Sequence, residues 1–373
     1  MSTISSSSDA VRAVSVVVVS WNGASFLGDC LDALLAQQAP GWAIRIVVVD
    51  NGSTDGTVAM VRERYPQVRL VALDRNTGFA AGANRGIAET DAPFVVLVNN
   101  DAVCDPGFVA AILAPFDKPD GDRLGAVTGR IVLANSYRPL GGAEADEPGV
   151  LVGFDGRRWV PADSTDPRGI ELLNSTGGQV TLSGNGRDRD WLSPVAGRAP
   201  SSDVFGFCGG AAALRRSALD DVGMFDPTLF LYYEDTDLSW RLRRRGWRIE
   251  YADDAVVRHR HAASSGTKSE FFLRHNERNR LVVAMRHAPA SVVLRAAAHA
   301  SVHALRDIVR GRNVRRHLQV AGNVLAKLPE ILRQRREIER KATVRRAELS
   351  QYLVADRSGA FVDHWSKVAK TRR

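Results

Sequence analysis

Val14-Ser-Val-Val-Val-Val-Ser-Trp-Asn-Gly23 and Ile44-Arg-Ile-Val-Val-Val-Asp-Asn-Gly-Ser53 are the stretches that decide the fold of this chain. Each is a β-branched, almost wholly apolar run that stops at polar turn residues, the pattern of a strand covered on both faces in a parallel sheet. Between them, Leu27, Leu31, Leu34 and Leu35 recur with helical spacing until Pro40-Gly41. The alternation continues with a helix over residues 55–65, a strand over 68–73, a Gly/Ala-rich helix over 80–89 and a strand over 94–98. Strand–helix repeats with right-handed crossovers build an α/β fold: an open, mostly parallel sheet flanked by helices. Polar residues gather where these strands end, at Trp21-Asn22, Asp50, Asp74 and Asn99-Asn100-Asp101. Ligands of such sheets bind in the crevice at those ends, so one composite site is expected there.

Outward from this half the texture changes. Residues 134–200 are dense in Gly, Pro, Asp and Ser and read as an irregular or β-rich insertion. Order returns at 204–214, a helix on a Leu/Trp stripe follows at 238–245, and a last short strand ends at Val256-Val257. Beyond Phe271 apolar residues at helical spacing sit among many arginines, the pattern of amphipathic helices with a basic polar face. The expected organisation is a tail at 1–12, a catalytic domain at 13–270 and a basic helical extension at 271–373.

The chain has 373 residues, 45% of them hydrophobic and 25% charged, an ordinary soluble composition. Cys30, Cys104 and Cys208 show no paired spacing, which argues against a disulfide framework or a thiolate zinc site. The Ser-rich start lacks a basic and apolar signal pattern, and no apolar run reaches the ~20 residues of a membrane span, so a cytoplasmic protein is expected. Charge is unevenly placed: 23 Lys/Arg stand against 8 Asp/Glu from Phe271 onward, and 27 against 34 before it. A basic tail on an acidic body argues against a nucleic-acid-coating protein. It suggests a foot for an anionic lipid surface at the inner face of the plasma membrane, a homodimer element, or simply a solvated face.

Four clusters carry chemistry. Asn99-Asn100-Asp101 places a carboxylate at a buried strand's end, suited to a hard divalent cation shared with phosphates, although such residues also merely turn a chain. Tyr232-Tyr233-Glu234-Asp235-Thr236-Asp237 puts three acids before a helix. One would serve as a cap, and the surplus suits a general base that draws a proton from a hydroxyl. His259-Arg260-His261 follows the last strand and could complete a metal site. Cys208 to Ala213 is a run of small residues, open to close backbone approach by a ligand or by a packing helix.

In order, these segments resemble the family 2 inverting glycosyltransferases of GT-A fold, with a likeness to bacterial rhamnosyltransferase-type members. The matching residues are Val16-Val-Val-Val-Ser-Trp-Asn22, Val47-Val-Val-Asp-Asn-Gly-Ser-Thr-Asp-Gly56, Asn76-Thr-Gly-Phe-Ala80 with Asn84, and Asn99-Asn-Asp101. Further on they are Gly209-Gly-Ala211, Phe225-Asp226, Tyr233-Glu-Asp-Thr-Asp-Leu238 with Arg241, and His259. The resemblance implies a nucleotide-sugar donor, dTDP- or UDP-linked, and a Mg2+ or Mn2+ cofactor. It implies that Asp50 reads the pyrimidine, with Trp21, Asn22, Arg75, Asn76, Gly78, Asn84 and Asn100 around the nucleotide. Asp101 matches the last acid of the family's Asp-x-Asp motif, whose first position here is Asn99. His259 matches the late metal-site histidine, with His261 as the fallback. Asp235 matches the general base, Glu234 would orient base or acceptor, and Gly209, Gly210 and Trp240 would face the sugar or acceptor.

The same resemblance implies transfer of L-rhamnose from dTDP-rhamnose to a glycan or polyprenyl-linked acceptor in cell-wall or polysaccharide synthesis. The alternatives are a galactosyl, glucosyl or N-acetylglucosaminyl transferase using a UDP donor, and an inactive scaffold on the same fold. A sugar nucleotidyltransferase would need a Gly-rich basic phosphate loop after the first strand, and a Rossmann dehydrogenase a Gly-x-Gly-x-x-Gly. Ser20-Trp-Asn-Gly23 is neither.

Overall fold

The computed structural model describes residues 11–141, 149–163, 165–198, 200–260 and 270–356. The Ser-rich residues 1–10 and His261 lie outside them. The chain opens with β1 (Arg12–Ser20), α1 (Leu27–Leu35), β2 (Trp42–Asp50), α2 (Thr57–Arg64), β3 (Arg69–Ala72), α3 (Phe79–Ile87) and β4 (Phe94–Asn99). β1 lies parallel between β2 and β4, pairing Ser20 with Asp50 and Val19 with Asn99, so three polar strand ends stand level. The valine runs are explained by this placement. Val14, Val16 and Val18 enter one core layer with Leu27, Leu31 and Leu34, while Val17 enters the other with Ala80, Ala83 and Ile87. Gly86 brings α3 down onto the sheet, because a Cβ there would stand 2.4 Å from Val17 Cγ1.

Next come β5 (Ala102–Cys104), α4 (Phe108–Leu113) and β6 (Leu124–Leu133). The 134–200 stretch is more ordered than its composition suggests. β7 (Tyr137–Pro139), β8 (Leu151–Val152) and β9 (Arg158–Pro161) form a small antiparallel sheet, and β10 (Leu173–Ser175) pairs with β6. β11 (Gly178–Thr181) and β12 (Gly186–Asp188) make a hairpin. Then follow β13 (Ala211–Arg215), α5 (Arg216–Val222), α6 (Glu234–Arg244) and β14 (Arg248–His259).

The central sheet runs β3-β2-β1-β4-β13-β6-β14-β5. Its first half is parallel as expected. Its second half is mixed, because β13 runs antiparallel to β4 and β6, and β5 antiparallel to β14. β14 is also longer than the short strand foreseen around Val256-Val257. A register irregularity between Ala252 and Val256 absorbs Asp253-Asp254 and lets it continue beside β6 until His259 meets Leu133.

The C-terminal part is helical as expected, in α7 (Glu270–His287), α8 (Ala290–Val309), α9 (Val314–Ala326) and α10 (Leu328–Lys341), with β15 (Leu353–Val354) after them. Val282, Val283, Ala284, Ile331 and Leu349 share one core with Phe205, Tyr233 and Trp240, and β15 pairs in parallel with β11. Among the described residues no helix is long and apolar enough to cross a membrane.

Candidate functional site

The level ends of β1 and β2 form the first part of the cleft. Asp50 is buried; its Oδ2 accepts from the Ser53 amide at 3.0 Å, and its Oδ1 has no hydrogen-bond partner. A buried carboxylate oxygen left unpaired is costly and suits an N–H brought by a ligand. Asn51 binds the next loop, donating to Asn76 Oδ1 and the Gly78 carbonyl and accepting from the Thr77 amide at 2.9 Å. Gly52 has φ +75°, and a Cβ there would lie 2.6 Å from the Arg75 backbone, so the Arg75–Gly78 turn sits directly on the Asp50 turn. Trp21 is exposed beside them.

Two of the expected nucleotide-binding asparagines, Asn84 and Asn100, are committed elsewhere, which corrects the sequence reading, while Asn22 stays on the Asp50 turn. The Asn84 amide exchanges two hydrogen bonds with the Phe225 backbone, at 2.8 and 3.0 Å. Asn100 is buried and donates to Ser20 Oγ at 3.0 Å, joining the ends of β4 and β1. Asn22 accepts from the Thr54 amide at 2.9 Å and lends its own N–H to Ser53 Oγ.

At the end of β4, Asp101 Oδ1 lies 3.0 Å from His259 Nε2, the last residue of β14. His259 Nδ1 stands 2.8 Å from Asn174 Oδ1, which as an acceptor places the proton on Nδ1 and turns Nε2 to the carboxylate. Donor atoms on one octahedral ion at about 2.1 Å stand about 3 Å apart, so this pair fits a shared divalent cation. Asn99 donates to the same histidine at 3.3 Å. No cluster of three or more His, Cys, Asp or Glu suited to a metal occurs among the described residues, so a cation here would lean on ligand phosphates. An open pocket of about 520 Å³, lined among others by Tyr137, Arg258 and Arg260, abuts His259.

The acids in the first turn of α6 divide into three roles. Asp235 is half-buried, accepting from the Gly209 amide at 3.3 Å and the Thr236 amide at 2.6 Å. Burial raises its pKa against those hydrogen bonds. Glu234 is buried with Oε2 unpartnered, and burial plus the charge of Asp235 push its carboxyl well above the ordinary carboxylate range. Both carboxyls are thus easier to protonate than in water, Glu234 more so because it also feels the charge of Asp235. Asp237 points into the protein and holds Arg241 at 2.9 Å, His287 at 2.8 Å and Arg286 at 3.4 Å.

The loop feeding these acids is held under backbone strain. Phe230, Tyr232 and Tyr233 have φ of +66°, +69° and +71°, a region that non-glycine residues rarely adopt. The fully buried Asn279 of α7 fixes it, donating to the carbonyls of Leu229, Leu231 and Tyr232 at 2.9, 3.0 and 2.7 Å. Gly78, with φ +85°, lets the Arg75–Gly78 turn touch the same loop, since a Cβ there would lie 2.4 Å from the Phe230 carbonyl oxygen.

Trp240 does not face this cleft. It is buried, stacked on His287 and edge-on to Phe205 at 4.8 Å, so the Leu/Trp stripe of α6 is core packing. Gly209 does border the cleft beside Asp235, whereas Gly210 is a packing position whose Cβ would meet Asn99 Nδ2 at 3.1 Å. Sequence reasoning missed Asn174, Asp188 and Asn279. For the first two, the polar run Asn174-Ser175-Thr176 and the residues beyond it, in a glycine-rich stretch, were the available signal.

Comparisons with known proteins identify the family. The sequence matches the family description "Glycosyl transferase family 2" over residues 15–163 and "Glycosyltransferase like family 2" over 192–284. It is similar to the N-acetylglucosaminyl-diphospho-decaprenol L-rhamnosyltransferase of Mycobacterium tuberculosis, at 30% identity over 290 residues, 73% of this chain and 84% of that one. It also resembles the poly-beta-1,6-N-acetyl-D-glucosamine synthase of Staphylococcus aureus, at 24% identity over 65% of this chain, but spans only 48% of that protein. In fold it is similar to GalNAc-T7, solved with UDP, GalNAc and Mn2+, with a TM-score of 0.50 at 17% identity, over 74% of this chain and 50% of the other. With the family's motifs in order and a relative matched along most of its length, the chain belongs to glycosyl transferase family 2 and is a glycosyltransferase.

Proposed function

We propose that this chain transfers L-rhamnose from dTDP-rhamnose to a hydroxyl of a polyprenyl-linked glycan, in one displacement that inverts the anomeric carbon. The observation that carries the reading is the placement of the unpaired Asp50 oxygen and the Asp101–His259 pair at the ends of β2 and β4, with Asp235 held on the Gly209 amide next to the Gly210 carbonyl that accepts from Asn99. The sugar and the acceptor class rest on the rhamnosyltransferase relative, whose name specifies a diphospho-decaprenol acceptor.

In this reading Asp50 Oδ1 accepts the imide N–H of the pyrimidine. Asp101 and His259 would hold a Mg2+ or Mn2+ ion, which when bound stabilises the charge on the departing diphosphate. Asp235 takes the proton of the acceptor hydroxyl as that oxygen attacks the anomeric carbon from the face opposite the leaving group. Glu234, neutral beside it, leaves the negative charge on Asp235. No protein nucleophile is required.

The test is release of nucleoside diphosphate from dTDP-rhamnose, UDP-glucose, UDP-galactose and UDP-N-acetylglucosamine, with a polyprenyl-diphosphate glycan present. Release from dTDP-rhamnose that stops on chelation and returns with Mn2+ or Mg2+ is expected. Release from a UDP-sugar alone would move the chain to another transferase activity. No release from any donor would make it a scaffold.

A lipid-linked acceptor requires a place to meet the membrane, and α8 offers one. Leu294, Ala298, Val302, Leu305 and Val309 recur on one face, with Leu294 71% and Val309 78% exposed. Arg295, Arg306, Arg310, Arg312 and Arg315 are exposed around them, which suits an anionic lipid surface. Leu294→Asp with Leu305→Asp is expected to weaken binding to phosphatidylglycerol vesicles at least tenfold, since each buried leucine contributes roughly 1.5–3 kcal/mol. Donor hydrolysis in solution should be unchanged. Unaltered vesicle binding, or a dimer that the same changes dissolve, would assign the face to protein contact instead.

A further inference from the structure

One ionisable side chain that faces the cleft has been given no role. Asp188 ends β12, in the 134–200 stretch, and this hairpin is fastened to the site on several sides. Gly186 donates its N–H to Tyr233 Oη at 3.1 Å, and a Cβ on it would stand 3.0 Å from the Tyr233 ring and 3.1 Å from Thr236 Oγ1. β12 therefore lies against the start of α6, where Asp235 is. Opposite Asp188 in the hairpin, Gly178 exchanges backbone hydrogen bonds with Gly206, two residues before Cys208. The next residue, Arg189, is bound through its backbone to Gly177 and through its side chain to Thr176.

So positioned, the half-buried Asp188 carboxylate lies beside the side chains of Ser175 and Cys208 and within electrostatic reach of Asp235 and His259. Those two residues mark the two ends of the reaction proposed above. The bond that forms is to the acceptor oxygen at Asp235, and the bond that breaks is to the diphosphate on the Asp101–His259 side. The ring of the transferred sugar must occupy the space between, and Asp188 borders that space. An ionised carboxylate has about four lone-pair sites, more than the neighbouring Ser175 and Cys208 side chains could fill with one donor each. The remaining capacity is for donors brought from outside, and sugar hydroxyls are donors that gain a charge-assisted hydrogen bond there.

We propose that Asp188 reads the hydroxyls of the transferred sugar and so determines donor-sugar specificity. It rests on the roles proposed for Asp235 and for the Asp101–His259 pair. A purely structural aspartate, holding Ser175 and Cys208 in place, is the competing role.

The two separate in equilibrium binding to the full chain with Mn2+, using dTDP-rhamnose, UDP-glucose and UDP-galactose, with dTDP and UDP as sugar-free references. In the native protein one sugar is expected to be favoured over its nucleotide reference. In Asp188→Asn and Asp188→Ala that preference should fall by about 10- to 100-fold, the value of hydrogen bonds to a charged group. Affinity for dTDP and UDP should change less than about twofold and the melting temperature should hold. A preference that survives both substitutions, or that is absent from the native protein, overturns the proposal. So does a parallel loss of nucleotide affinity and melting temperature, which a structural aspartate would produce. Failure of dTDP and UDP themselves to bind the native protein would instead reject the glycosyl-transfer reading on which this rests.

Discussion

Asp235→Asn is expected to lower kcat by about 10²- to 10⁴-fold, the range that a positioned general base contributes, while nucleoside diphosphate affinity stays within about twofold. The amide keeps the shape of the carboxylate and can keep the short contact from the Thr236 amide at 2.6 Å, while the longer one from the Gly209 amide at 3.3 Å is lost with the proton acceptor. The native enzyme should also lose activity as pH falls through the Asp235 pKa. Burial raises that pKa, so the acid limb should lie above the ~3.9 of a free aspartate and should vanish in the variant. Stability should move in the opposite direction. A carboxyl whose folded pKa is raised binds its proton more tightly when folded, so at neutral pH it lowers stability, and the penalty fades as pH falls through the raised value. Asp235→Asn removes that penalty together with the Gly209 contact, so its melting temperature at neutral pH is expected to stay close to that of the native chain. Full transfer activity in this variant would refute the base assignment.

Asp237→Ala, two residues away, should act on stability. It is 2% exposed and balances Arg241, Arg286 and His287, which come from α6 and α7. Burial by itself would raise its pKa. Arg241, His287 and Arg286 outweigh that and hold the carboxyl far below the ordinary carboxylate range. Removing one partner of a buried ionic network costs about 3–5 kcal/mol, because the remaining charges stay buried without compensation. Urea denaturation at neutral pH should show that loss, softened where Asp226 still pairs with Arg286 at 2.7 Å. The depressed pKa also fixes the pH dependence. The stabilisation is complete above the unfolded value of about 3.9 and is lost as pH falls below it towards the folded pKa. In Asp237→Ala this part of the acid destabilisation should be missing. A midpoint equal to that of the native chain would show that the network contributes nothing.

The contrast between neighbours shows what the sequence could reveal. Valine runs report strands because a β-branched run buried on both faces has few other uses, and their polar ends report a site because a core strand has no need of Asp50 or Asp101. His259 was legible through its place after the last strand. Asn84, Asn100 and Trp240 misled for a shared reason. An amide or an indole serves a ligand or the protein's own backbone and core equally well, and only the partner decides. Trp240 sits on a helical Leu/Trp stripe, which packing alone explains. Asp188 and Asn279 stayed hidden because their meaning is non-local. Asp188 gains its neighbours from β10, the Cys208 segment and α6, and Asn279 from a loop about fifty positions earlier.

The pairing of β11 with β15 has a consequence for how the enzyme comes into being. Ser183 donates to Asp356 at 2.5 Å across 173 positions, and Val180 lies beside Leu353. The first four strands are mutually adjacent early in the chain and can close while the ribosome is still at work. The hairpin carrying Asp188 and the strained turn before Glu234 gain their last fasteners only when α7 and then β15 have been made. A nascent chain would thus close its first parallel strands well before this hairpin and turn are fastened, so the order of synthesis sets the order in which the two parts of the domain are completed.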